Sequence, residues 1–417
     1  MNENKKTLME NFISMGALQI FTYVIPLITL PYQIRVIGSS NFGILAFALA
    51  FIQYFNIITD YGFSITAPKA LATNRTKRDV ISYIFNIVIC SKTLLFFVCA
   101  LIQIIAIIFV PQIGKNWLVF LFTFLSLIGW VLFPSWFFVG MEKSKYITIL
   151  NIMSRTFFLV LLFVVVRKMD DYIYVPLLSS TGSIIAGLVG YFYAIREYKL
   201  KVYVPPFNKI IRYIRKSTPF FFANLSWVAY TSTNTFFLGL ITTNALVGIF
   251  AAAYNLYNAL SNIKVPISVA LYPYMARFKD LKFYKKLLIF TMIVAFFSCI
   301  ALFLMSKLII TIFYGKEMIQ AYLIFRILVI AVLIEMISIF FDYPLLGVFG
   351  HMKTVSYITI FGAVFHLICL GILYITNYIN ITTVAILIVI TTAVMLLLKL
   401  YFTYKYRIFS IADEKII

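Results

Sequence analysis

The chain reads as long apolar runs cut by short polar or charged clusters. A run of roughly 20 mostly apolar residues crosses a bilayer as one helix. Twelve such runs are expected, over about 12–34, 42–65, 80–110, 117–139, 146–166, 172–195, 218–241, 246–271, 287–311, 318–345, 356–376 and 381–402. None alternates with a period of two, so a transmembrane β-barrel is not expected. A basic stub, Lys5 and Lys6, leads straight into a full-length run with no small-residue cleavage site. A cleavable signal is therefore not expected. The pattern predicts an all-α polytopic membrane protein.

Composition agrees. The 417 residues are 63% hydrophobic and 12% charged, with mean hydropathy +0.99. A soluble domain is about 45–50% apolar and about 25% charged, so a soluble enzyme, a disordered chain and a disulfide scaffold are excluded. The net charge of +21 looks at first like a nucleic-acid footprint. Its placement says otherwise. With the N-terminus in the cytoplasm, 25 Lys+Arg fall on the inner side, 5 on the outer side and 5 inside the runs. This bias predicts cytoplasmic N- and C-termini, and it attracts anionic membrane lipids. Nucleic acid needs no role. The outer loops are all short. The longest inner one, near 196–217, carries Pro205-Pro206 and then a basic segment with Ile210, Ile211 and Ile214 on one helical face. It predicts an amphipathic linker in the interface, giving lobes 1–200 and 218–417 joined by 201–217.

The chain repeats itself. Pro134-Ser-Trp-Phe-Phe-Val-Gly140-Met-Glu-Lys143 faces Pro344-Leu-Leu-Gly-Val-Phe-Gly350-His-Met-Lys353 at an offset of 210, and Tyr-Ile-Thr-Ile follows both. Gly43-Ile-Leu-Ala46 faces Gly248-Ile-Phe-Ala251 at offset 205, and Pro68 faces Pro273. These matches pair run two with eight and four with ten. They predict two six-helix bundles in the same orientation, related by a pseudo-two-fold axis along the membrane normal.

Charges at membrane depth cost about 2.5–3.5 kcal/mol each on insertion scales and mark functional positions. The deep cations are Lys92, Arg155, Lys264, Lys307 and Arg326, and the acids are Asp60, Glu335 and Asp342. Lys307 lies near an outer end and can snorkel. An excess of cations suits an anionic cargo such as a phosphate or pyrophosphate. The alternative is that each cation only pairs with an acid; Asp60 with Lys264 is one such pairing that the repeat suggests. Amides including Asn11, Gln19, Gln53 and Asn258 fit sugar hydroxyls, or contacts between helices. Pro26, Pro31, Pro134, Pro266 and Pro344 are candidate bending points. Cys90, Cys99, Cys299 and Cys369 sit in apolar runs and suit neither disulfides nor zinc. His351 and His366 are too few for a metal site, and no cofactor is expected.

Several segments resemble one family. They are Asn11…Gly16…Gln19…Pro26…Leu30-Pro31-Tyr32…Arg35-Val-Ile-Gly38…Asn41-Phe-Gly43, Gln53-Tyr54-Phe55…Asp60-Tyr-Gly62-Phe63, Pro134 to Lys143, and Gly248-Ile-Phe…Ala253-Tyr-Asn. They resemble the Wzx-type O-antigen flippases of the multidrug/oligosaccharidyl-lipid/polysaccharide exporter superfamily. The resemblance implies a V-shaped fold like that of multidrug (MATE) transporters, in the bacterial inner membrane. It implies alternating access driven by an H⁺ or Na⁺ gradient rather than by ATP, and no phosphate-binding glycine loop is present. The implied cargo is an undecaprenyl-pyrophosphate-linked oligosaccharide, with a polysaccharide polymerase as a possible partner. Arg35 matches the family's first-turn arginine. From position alone, Lys92, Arg155, Lys264, Arg326, Gln19, Gln53 and Asn258 are candidates to bind substrate, and Asp60 and Glu335 to couple the ion. No catalytic residue is expected. A multidrug cation antiporter of the same superfamily is the runner-up, and a membrane polymerase is disfavoured by the short outer loops.

Overall fold

The computed structural model describes residues 3–411 as backbone; side chains before Phe21, those of Tyr23, Ala223, Ser226, Trp227, Ala229 and Tyr230, and those from Ser410 onward lie outside the described set. Among the described residues every regular element is helical: α1 (Glu3–Asp60), α2 (Phe63–Ala72), α3 (Arg78–Phe109), α4 (Pro111–Gly114), α5 (Trp117–Leu132), α6 (Ser135–Gly140), α7 (Ser144–Val165), α8 (Tyr174–Glu197), α9 (Phe207–Thr231), α10 (Thr233–Ile241), α11 (Asn244–Ser261), α12 (Lys264–Phe278), α13 (Leu281–Tyr314), α14 (Ala321–Ser338), α15 (Met352–Ile375), α16 (Ile381–Lys405) and α17 (Ile408–Ile411), with short tighter or wider turns between some of them. Nine stretches among the described residues are long and apolar enough to cross a membrane. The chain is a multi-pass membrane protein.

The difference from twelve expected runs has local causes. The first two runs are one helix, α1, interrupted only at Gly38 with φ 77°. The seventh and eighth are broken: α9 stops at Thr231 before the short α10, and α11 stops at Ser261 before α12. Pro26 and Pro31 lie inside α1, whose one non-helical residue is Gly38.

The chain divides into two compact units, Met1–Val228 and Ala229–Ile417. Each contains the repeat as packing. In the first unit α2 follows the end of α1 and lies against α6, just beyond Pro134. In the second, α12 follows α11 and lies against the π-helical turn Asp342–Gly347, which holds Pro344. The apolar cores correspond too. Phe63, Leu71, Phe85, Trp136, Phe137 and Leu150 form one; Leu271, Met275, Tyr284, Phe340, Leu345 and Val355 form the other.

The linker differs from its expected form. Residues 201–206 form no regular element, and α9 then runs unbroken through Pro219 to Thr231. Its apolar face is packed on protein. Ile210 and Ser217 are buried, Tyr213 and Ile214 join the first core, and Tyr61 stacks on Phe221 at 4.5 Å. Lys209, Arg212, Arg215 and Lys216 remain exposed. An amphipathic helix needs an apolar partner along its stripe, and here the first unit supplies it. Asn86, buried on α3, fixes this stretch: its amide donates to the Lys201 carbonyl at 2.7 Å and accepts from the Tyr203 N–H at 3.2 Å.

Candidate functional site

The second unit holds a closed set of charges. Lys264 stands at the first position of α12, where Pro266 two residues on costs no helix hydrogen bond. Glu335 and Ser338 are three residues apart on α14 and share a face. Lys399 projects from α16, seven residues after Thr392. Lys264 Nζ meets Glu335 Oε2 at 2.7 Å, and the Tyr257 hydroxyl donates to Oε1 of the same carboxylate at 2.9 Å. Lys399 Nζ meets Asp342 Oδ1 at 2.6 Å and donates to Ser338 Oγ at 2.7 Å. Lys264, Glu335, Ser338, Asp342, Thr392 and Lys399 line a small cavity of about 70 Å³, room for about two waters at roughly 30 Å³ each. Two cations face two anions, so the cavity is neutral.

This corrects two expectations. Lys264 is paired with Glu335, so the proposed pairing with Asp60 is not the one made. The charge pattern counts Lys399 among the 25 inner-side cations, yet its side chain is 7% exposed and ion-paired inside the unit. It belongs with the deep cations.

The first unit is arranged differently. Lys92 is buried on α3. Its Nζ donates to the Trp130 carbonyl at 3.2 Å and lies 5.9 Å from the centre of the Trp130 ring. That carbonyl awaits the N–H of residue 134, and Pro134 has none; the ammonium fills the gap. Asp60 ends α1, accepts from Ser64 Oγ at 2.7 Å, and attracts Lys92 through space without touching it. Arg155 is half-buried on α7. Among the described residues neither Lys92 nor Arg155 has a carboxylate at ion-pair distance.

The other candidates are scattered. Arg35 is exposed, just before the Gly38 break. Gln53 is half-buried and accepts a long 3.5 Å bond from Asn56. Asn258 is half-buried on α11, and its carbonyl accepts from the Asn262 amide at 2.8 Å. Arg326 donates to Ser306 Oγ at 2.7 Å and to the Phe303 carbonyl at 3.1 Å, between the Phe303 and Tyr322 rings. The side chains of Asn11 and Gln19 lie outside the described residues.

Sequence reasoning passed over two groups and weighed a third only as a metal ligand. Lys399 had a signal, since it falls inside the 381–402 run. Tyr257 had none, because only the fold brings it to Glu335. His366 is fully buried, with Nδ1 2.8 Å from Thr391 Oγ1 and Nε2 2.8 Å from Asn234 Oδ1. Among the described residues no group of three His, Cys, Asp or Glu is placed to hold a metal.

The described residues thus form a multi-pass helical membrane protein with two ion pairs inside its second unit and, inside its first, cations without an ion-paired carboxylate. Solved structures agree on the fold. The lipid II flippase MurJ in an inward closed conformation matches with TM-score 0.73 at 15% identity, over 94% of this chain and 87% of its own. A eukaryotic MATE transporter matches with TM-score 0.62 at 12% identity, over 96% and 95%. In sequence, residues 8–279 match the family described as "Polysaccharide biosynthesis protein", and the chain belongs to that family. A candidate O-antigen transporter of Escherichia coli K12 is 30% identical over 274 residues, 66% of this chain and 66% of that protein, just under two-thirds of its length. Another, of Shigella dysenteriae, is 25% identical over 369 residues, 87% of this chain and 91% of that protein.

Proposed function

We propose that the protein is a flippase that moves undecaprenyl-pyrophosphate-linked oligosaccharide repeat units from the cytoplasmic to the outer leaflet of the bacterial inner membrane. Its cargo is the O-antigen or a related polysaccharide. It works by alternating access of two six-helix halves, twelve crossings in all, with both termini cytoplasmic. An ion gradient drives it, and a polymerase takes up the product. The observation that carries the reading is two cations in the first unit, buried Lys92 and half-buried Arg155, with no carboxylate paired to either among the described residues. A polyanionic headgroup supplies what they lack, and relatives described as O-antigen transporters support that choice of cargo. Lys264 and Arg326 are further phosphate contacts, Arg35 an outer one, and Gln19, Gln53 and Asn258 contact sugar. Asp60 and Glu335 couple the ion.

The multidrug antiporter reading needs open carboxylates for a cationic drug. Glu335 and Asp342 already each hold a lysine, which counts against it. The test is complementation of a deletion strain. Arg155→Gln is expected to cut surface polysaccharide at least about tenfold, as loss of one charge-assisted contact costs about 1.5–3 kcal/mol. The lipid-linked repeat unit is expected to accumulate on the inner leaflet while the protein inserts at normal level. Full export by a quadruple Lys92, Arg155, Lys264 and Arg326 to Gln variant overturns the reading.

A further inference from the structure

We infer that a furrow along the last turns of α8 binds a phospholipid with an ethanolamine headgroup, its phosphate on Arg196 and its ammonium on Glu197. The inference needs only that the chain spans a membrane, and it stands apart from the cargo.

The furrow has a volume of about 480 Å³ and is lined by Leu188, Val189, Phe192, Tyr193, Arg196 and Glu197. These positions share one face of the helix, because residues three and four apart are neighbours. From Leu188 to Glu197 the rise is about 14 Å at 1.5 Å per residue, close to half of a hydrocarbon core roughly 30 Å thick. The furrow thus matches one leaflet in depth. Its apolar part is open, with Val189 49% and Phe192 61% exposed. Its charged part closes the span Met169–Glu197, where headgroups begin. An acyl chain lying along Leu188, Val189 and Phe192 brings its headgroup to Arg196 and Glu197.

The two charges select the headgroup. Both side chains are exposed, and among the described residues neither is in an ion pair, with the other or with a third group. A guanidinium takes two phosphate oxygens through parallel N–H bonds. Lys145 adds positive charge from α7: Tyr193 packs on Tyr146 with ring centres 4.5 Å apart, and Lys145 Nζ lies 5.3 Å from the centre of the Tyr146 ring. Glu197 discriminates. A glycerol headgroup has no cation to answer it, and neither has a bare polyprenyl phosphate. A choline headgroup has a cation but no N–H. An ethanolamine ammonium has three N–H donors, as a lysine does. The last carbonyls of α8 favour the same cation, because a helix C-terminus carries partial negative charge.

The experiment is native mass spectrometry of the purified full chain released from nanodiscs that hold equal parts of phosphatidylethanolamine, phosphatidylcholine, phosphatidylglycerol and undecaprenyl phosphate. Val189→Trp fills the furrow with a ring, so the lipid that wild type retains and this variant loses is the lipid bound there. That lipid is expected to be phosphatidylethanolamine, about three- to fivefold over each of the others, the upper range for an exposed ion pair. Glu197→Gln is expected to erase the advantage over phosphatidylcholine and to raise phosphatidylglycerol. Arg196→Gln is expected to lower phosphatidylethanolamine by a similar factor. All three substitutions fall on exposed side chains, and an unchanged unfolding temperature in detergent shows that the fold is kept. A phosphatidylethanolamine advantage kept by Glu197→Gln overturns the inference, as does phosphatidylglycerol or undecaprenyl phosphate as the lipid lost in Val189→Trp. A wild-type dimer that Val189→Trp dissolves, with retained lipid unchanged, also overturns it, because a second copy then covers the furrow.

Discussion

The repeated proline breaks one helix in each unit, and each break is braced by a buried lysine of different design. At Pro134 the brace is Lys92 on the Trp130 carbonyl. At Pro344 it is Lys399 on Asp342 and Ser338. One lysine comes from α3 and the other from α16, so duplication did not copy the brace. The outcome for charge differs at the lysines. The second unit pairs Lys264 and Lys399 with carboxylates, whereas Lys92 in the first has no ion-paired carboxylate among the described residues. The half-buried arginines do not differ: Arg155 in the first unit and Arg326 in the second both lack one among the described residues.

The comparison breaks most severely at Lys399. Lys399→Met orphans a buried carboxylate, and loss of one partner from a buried pair costs about 3–5 kcal/mol. Lys399→Met/Asp342→Asn is expected to recover most of that, and equilibrium unfolding in detergent reads the cycle. Gly140 and Gly350, aligned by the repeat, sharpen it next. A Cβ on Gly140 meets Leu71 Cβ at 2.8 Å and Pro68 Cα at 3.1 Å, so Gly140→Ala overpacks α2 against α6 for about 1–3 kcal/mol. A Cβ on Gly350 meets nothing within 4 Å, but its φ is +91°. Gly350→Ala is expected to cost about 1–2 kcal/mol from backbone strain alone. Lys92→Met is the smallest, about 1 kcal/mol in unfolding, because it leaves one carbonyl unbonded and no charge orphaned. Its export defect is expected to exceed what that stability change explains, and the ratio of transport to folded protein measures it.

Helix positions are legible because hydropathy acts locally, but proline alone does not mark the breaks: α1 runs through Pro26 and Pro31 and breaks at Gly38, and the expected seventh and eighth runs break after Thr231 and Ser261. The runs fall where helices form, and the Pro134/Pro344 repeat falls on real breaks with matching cores. Pairing was not legible. Glu335 meets a lysine 71 positions earlier in the chain, and hydropathy reports only that both are buried. Lys399 was misplaced because a cation near the end of an apolar run looks like a topology marker until a carboxylate is found beside it. The linker misled for a related reason: an apolar stripe does not say whether lipid or protein covers it.

The helix α9 has a consequence for how such a chain divides. The sequence repeat changes copy near the irregular stretch 201–206, yet the first unit holds the chain as far as Val228. The seam left by duplication and the seam of packing lie apart. Two genes cut at the repeat would deprive the first half of the helix that covers its core, and a cut at Val228 would sever that helix within its last turn. Neither half is a complete product on its own, which favours one continuous reading frame.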